Sequence, residues 1–147
     1  MADRGGIEPA DVLLVEDDPG DVLMTMEAFE HYRIRNPLHV VGDGERAMQF
    51  LRRDGEYSEA PRPGLILLDL NLPRRNGLEV LADLKSDADL LSIPVVVLTT
   101  SQAEEDILRS YALHANAYIS KPVDFDRFTD VIRQINKFFL NLVQLPN

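Results

Sequence analysis

Short apolar runs, each closed by acidic or turn-forming residues, recur along the chain. The first is Val12-Leu13-Leu14-Val15, cut off by Glu16-Asp17-Asp18-Pro19-Gly20. A continuous apolar run of this length, ended by turn residues, predicts a strand buried on both faces. Residues 21–33 then place Val22, Leu23, Met26 and Phe29 on one helical stripe, with Asp18 as N-cap and Pro19 at the first helical position. The pattern repeats. Leu38 to Val41 reads as a strand, Gly42-Asp43-Gly44 as a turn, and Ala47, Phe50 and Leu51 as a helix ending before Gly55. Residues 54–64, rich in Gly and Pro, read as a loop. Leu65 to Leu68 is a third strand, and Gly77 to Ser86 a helix with Leu78, Leu81 and Leu84 at helical spacing. Val95 to Leu98 is a fourth strand, followed by a helix through Ile107, Leu108, Tyr111 and Ala112. Ala117 to Ile119 is a short fifth strand, and a helical pattern runs from about Asp124 to Val143.

Five strands alternating with five helices predict an α/β fold, with one doubly wound parallel sheet covered by helices on both faces. In such sheets the ligand site lies beyond the carboxyl ends of the strands, where the strand order reverses. The residues just after each strand are therefore the ones to inspect.

Composition narrows the picture. The length, 147 residues, suits a single domain, and 45% hydrophobic with 27% charged residues excludes a mostly disordered chain. Residues 1–10, with Gly5, Gly6 and Pro9, read as a loose lead-in. A formal net charge of −10 argues against nucleic-acid binding by bulk charge. The absence of cysteine excludes disulfides, thiolate-held metals and a cysteine nucleophile. No apolar run approaches the ~18 residues of a spanning helix. The N-terminus also lacks the apolar stretch of a signal peptide, so no membrane association and a cytoplasmic location are expected.

The chemistry gathers where the fold predicts it. Glu16, Asp17 and Asp18 follow the first strand, Asp69 the third, Thr99 and Thr100 the fourth, and Lys121 the fifth. Clustered carboxylates repel one another and need a counter-charge. A hard divalent cation such as Mg²⁺ supplies it through oxygen ligands. Asp69, held on a rigid strand end, could act as a nucleophile and form an acyl phosphate. Mg²⁺, the Lys121 ammonium and the Thr99 hydroxyl are suitable stabilisers of a phosphoryl group in transit. No Gly-x-x-x-x-Gly-Lys-Ser/Thr loop is present, so a nucleotide is not the expected phosphate source.

Four stretches carry a family resemblance. They are Val12 to Asp18, Ile66 to Pro73 with Asn76-Gly77, Val97-Leu98-Thr99, and Tyr118-Ile119-Ser120-Lys121-Pro122. In this order and spacing the chain resembles the receiver domain of two-component response regulators, a flavodoxin-like fold, over about residues 11–137. The resemblance implies that Asp69 accepts phosphate from a sensor histidine kinase. It implies that Glu16, Asp17, Asp69 and the backbone carbonyl of Asn71 hold Mg²⁺, and that Thr99 and Lys121 contact the phosphoryl group. It implies a cis peptide before Pro122. It also implies a switch in which the Thr99 hydroxyl moves toward phosphate, Tyr118 turns inward, and the face of the fourth helix, fifth strand and fifth helix changes. More narrowly, Glu16 to Asp21, the 54–64 loop, Leu98 to Ser101 and the ending Leu145-Pro146 resemble the single-domain regulators that partner phytochrome-type kinases. No length remains for an output domain, so signalling through protein–protein contact is expected. The kinase, and a downstream phosphotransfer or target protein, would be the partners, and the protein would not be an enzyme.

Simpler readings stand beside these. Asp18 fits helix capping at least as well as metal binding. Thr100 and Ser101 read as loop hydroxyls, although Ser101, like Asn71, could tune hydrolysis. His31, His39 and His114 have no ligand-spaced partner and read as structural or exposed. Arg74 and Arg75 read as solvated loop charges. In the last helix, Phe125, Phe128, Val131, Ile132, Ile135, Phe139 and Leu142 form one stripe, which Phe138, Leu140, Val143 and Leu145 do not join. Residues 138–147 thus extend the helix with apolar groups that one face cannot bury, and a homodimer contact is expected there. Two other functions compete. A Mg²⁺-dependent phosphohydrolase with an aspartate nucleophile usually carries an acid two residues further on, where this chain has Asn71. A phosphate-independent docking module would not need the set Glu16, Asp17, Asp69, Thr99 and Lys121.

Overall fold

The computed structural model describes residues 9–99, 103–121 and 125–137. Five parallel strands form one sheet: β1 (Val12–Val15), β2 (Leu38–Val41), β3 (Leu65–Leu68), β4 (Val95–Thr99) and β5 (Ala117–Ser120), in the order β2-β1-β3-β4-β5. The helices between and after them are α1 (Pro19–His31), α2 (Gly44–Arg52), α3 (Gly77–Ser86), α4 (Glu104–Ala112) and α5 (Phe125–Ile135). Within the 54–64 loop, Gly55–Tyr57 forms a single 3-10 turn.

Alternation along the strands explains the two layers of helices. On one face Leu13, Val15, Ile66, Leu68, Val95 and Val97 pack with Ala47, Phe50 and Leu51 of α2 and Leu78, Leu81 and Leu84 of α3. On the other, Val12, Leu14, Leu65, Leu67, Val96 and Leu98 pack with Ala28 and Phe29 of α1 and Phe128, Ile132 and Ile135 of α5. Every residue of β1, β3 and β4 is buried, as continuous apolar runs require of strands covered on both sides. At the edge, β2 is looser, and Val40 is exposed.

Two helical stripes differ from the sequence expectation. In α1, Leu23 and Met26 face solvent, while Thr25, Ala28 and Phe29 are buried and Val22 half-buried. The small groups at 25 and 28 suit the close packing of α1 against α5, and the Thr25 hydroxyl is satisfied by the Asp21 carbonyl at 2.8 Å. In α4, Ser110 is fully buried and Tyr111 is exposed. The peptide before Pro122, Thr100, Ser101, and the proposed dimer residues Phe138, Leu140, Val143 and Leu145 lie outside the described residues, as do Phe139 and Leu142.

The chain leaves β1 to one side to make β2, then crosses back to β3 on the other. This reversal opens a crevice at the carboxyl ends of β1 and β3. Val15 and Leu68 are paired in register there, so Glu16 and Asp69 emerge side by side.

Candidate phosphoacceptor and metal site

Asp69 sits at the centre of the crevice and is buried. Its amide donates to the Val15 carbonyl at 3.1 Å, continuing the ladder one residue past the strand. The chain must then turn sharply. The Asn71 amide donates back to Asp69 Oδ1 at 3.1 Å, and the Gly77 amide to the Leu70 carbonyl at 3.0 Å. Gly77 is required by this approach. A Cβ there would stand 2.3 Å from the Asp69 carbonyl oxygen. The start of α3 is fixed by a capping box in which Asn76 accepts from the Glu79 amide and Glu79 from the Asn76 amide. Asn76-Gly77 thus serves the backbone that carries Asp69.

The neighbouring strands bring in the other groups. Thr99, fully buried at the end of β4, donates its hydroxyl to Asp69 Oδ1 at 2.5 Å. Lys121, just beyond β5, is tied down by its own amide on the Thr99 carbonyl at 2.8 Å. Its buried ammonium donates to Glu16 Oε1, to Asp21 Oδ2 at 2.7 Å and to Asp69 Oδ2 at 3.3 Å. Tyr118 is half-buried at the edge of the first core layer.

Glu16 and Asp17 complete the acidic side. Glu16 is buried, Asp17 exposed, and single carboxylate oxygens of Glu16, Asp17 and Asp69 all lie within 4.8 Å of one another. That span matches the roughly 4–5 Å between opposite oxygens around a divalent cation with oxygen bonds of ~2.0–2.6 Å. The residues therefore fit such an ion. Burial pushes the Glu16 carboxyl up from 4.5 to about 7, the Asp69 charge adding to the rise and Lys121 opposing it. Burial acts to lower the Lys121 ammonium, but its hydrogen bonds to Asp21 and Glu16 and the charges of Glu16 and Asp69 outweigh that, and it is raised. Lys121 is thus a fixed cation beside a group of acids that together outnumber it.

Asp18 is an N-cap, accepting from the Gly20 amide at 2.8 Å and the Asp21 amide at 3.4 Å, and it is not in the acidic triad. Asp21 is the site residue that sequence reasoning missed. The signal available was an acid three residues past the cap, in the first turn of a helix that starts at the site. A cleft of about 630 Å³ lies elsewhere, between the end of α2 and the loop before β4. Arg52, Arg53, Arg62, Asp87 and Asp89 line it, at the far end of the sheet.

The doubly wound sheet, in the order 2-1-3-4-5, thus carries acids after its first and third strands, a hydroxyl at the end of its fourth and a lysine after its fifth. Residues 12–133 match the response regulator receiver domain, and the chain belongs to that family of signalling switches. It is 46% identical to the response regulator Rcp1 of Synechocystis sp., over 94% of each chain. It is also similar to the phosphorylated cyanobacterial phytochrome response regulator RcpA, with a TM-score of 0.89 and 44% identity over 95% of this chain and 100% of that one. The Mn²⁺-bound form of Rcp1 gives a TM-score of 0.87 and 45% identity, again over 95% and 100%. Among the described residues no helix is long and apolar enough to cross a membrane.

Proposed function

We propose that the protein is a response regulator that takes a phosphoryl group on Asp69 from a sensor histidine kinase, beside a divalent cation. The observation that carries this reading is the convergence on one buried carboxylate of the Thr99 hydroxyl at 2.5 Å and the Lys121 ammonium at 3.3 Å, next to the Glu16–Asp17 pair. An Asp69 oxygen attacks phosphorus and forms a new P–O bond. The donor's P–N bond breaks, and its electron pair returns to the imidazole ring. The phosphoryl oxygens draw on Lys121 and Thr99, which already face the acceptor. A Mg²⁺ ion held by Glu16, Asp17, Asp69 and the Asn71 carbonyl would neutralise charge on those oxygens.

The readout follows from the same groups. Thr99 leaves the carboxylate for the phosphoryl group, and Tyr118 moves into the released space, shifting the α4–β5–α5 face. Likeness to RcpA and Rcp1 supports a phytochrome-type kinase as the donor. A homodimer through Phe138, Leu140, Val143 and Leu145, a downstream protein target and a cytoplasmic setting complete the proposal. Any loss of phosphate is a reset rather than turnover of a substrate. Asn71, two residues past Asp69, cannot protonate a leaving group as a phosphohydrolase would need.

Incubation with Mg²⁺ and acetyl phosphate tests the reading. Wild type is expected to gain about one acid-stable, alkali-labile phosphate per chain, and Asp69→Asn none. Equal labelling of the two, or labelling of neither, would overturn it.

A further inference from the structure

Resting on the reading above, we infer that Asp21 is a positioning residue that holds the Lys121 ammonium and competes with the phosphoryl group for it. Three carboxylates reach this lysine: Glu16, Asp21 and Asp69. Glu16 and Asp69 belong to the acidic triad suited to a cation, and Asp21 does not. A bound divalent cation would therefore offset charge on the first two and leave Asp21 to Lys121. Among the described residues Lys121 is the one cation within 4.0 Å of Asp21.

The placement is built by the start of α1. Asp18 caps the helix and Pro19 sets its direction, so the third helical residue points across the crevice toward the end of β5. The contact spans 100 residues of sequence. An acid in a first turn is usually explained by the helix dipole alone. Here its carboxylate also reaches a buried ammonium, and more closely than Asp69 does, at 2.7 Å against 3.3 Å. The Asp21 side chain is one-quarter exposed, so it can release Lys121 to water-solvated surroundings without being stranded.

Two consequences follow. In the resting protein Asp21 holds Lys121 more closely than Asp69 does. When Asp69 is phosphorylated, a phosphoryl group of charge about −1.5 to −2 replaces the carboxylate's −1, and that group must draw the ammonium away from Asp21 or share it. Asp21 thus weakens the grip on phosphate, and removing its charge should strengthen it.

Beryllofluoride, a stable mimic of an acyl phosphate, provides the test. Its affinity is measured by calorimetry in saturating Mg²⁺ for wild type, Asp21→Asn, Lys121→Ala and the double variant, with thermal unfolding as a check on folding. The expected result is a gain of about three- to tenfold for Asp21→Asn, the scale of one charge-assisted contact. In the Lys121→Ala background that gain should fall below about twofold, because the effect runs through the lysine. Affinity unchanged in Asp21→Asn, or an equal gain in both backgrounds, would overturn the inference while leaving phosphoacceptance by Asp69 intact. Wild type that takes up no beryllofluoride would instead overturn the underlying reading, and the inference with it.

Discussion

At the scale of single residues, burial and charge pull against each other. Glu16 is buried beside both a cation and another acid, and burial wins, so it holds a proton up to about pH 7. Its folded value lies above its ordinary one. The metal-free fold therefore gains from this group fully below pH 4.5 and loses that gain as pH rises through about 7. Metal binding has the opposite sign, because a cation needs the ionised carboxylate. Mg²⁺ affinity should thus climb most steeply near pH 7 and level off above it. Calorimetry across that range checks this, and Glu16→Gln should flatten the curve. The chain has no tryptophan to report binding by indole fluorescence. Gly77 makes a second residue-scale test. Gly77→Ala forces a methyl group against the Asp69 backbone, and overpacking of that kind costs roughly 1–3 kcal/mol. A lowered urea midpoint, together with slower phosphorylation from a displaced Asp69, is expected.

At the scale of elements, α4 has less support at its start than α3. Ala103 at its N-cap provides no side-chain hydrogen bond, and among the described residues the buried Ser110 hydroxyl has no hydrogen-bond partner. An unsatisfied buried hydroxyl costs free energy that an alanine would not. Ser110→Ala should therefore stabilise the fold by about 1 kcal/mol, with slower amide exchange in α4 as the check. The contrast with α3 is informative, because its capping box and buried leucines anchor the helix that supports Asp69.

At the scale of the whole molecule, the strands were legible in the sequence because burial on both faces demands unbroken apolar runs, as in β1 and β3. The site was legible because a doubly wound sheet gathers whatever follows its strands, which brought Glu16, Asp69, Thr99 and Lys121 together. Helix faces were harder to read. The α1 stripe was read through Leu23 and Met26, yet close packing on α5 favours the small Thr25 and Ala28. Asp21 was invisible for a related reason, since its meaning depends on where α1 begins relative to the end of β5. The account as a whole depends on Asp69 forming an acyl phosphate with help from a divalent ion. Borohydride reduction after treatment with acetyl phosphate tests this directly, because it converts a phosphorylated aspartate to homoserine that peptide mass spectrometry can locate. The account predicts homoserine at position 69 alone, and only when Mg²⁺ is present. Conversion at another residue, or at 69 equally in the presence of a chelator, would contradict it.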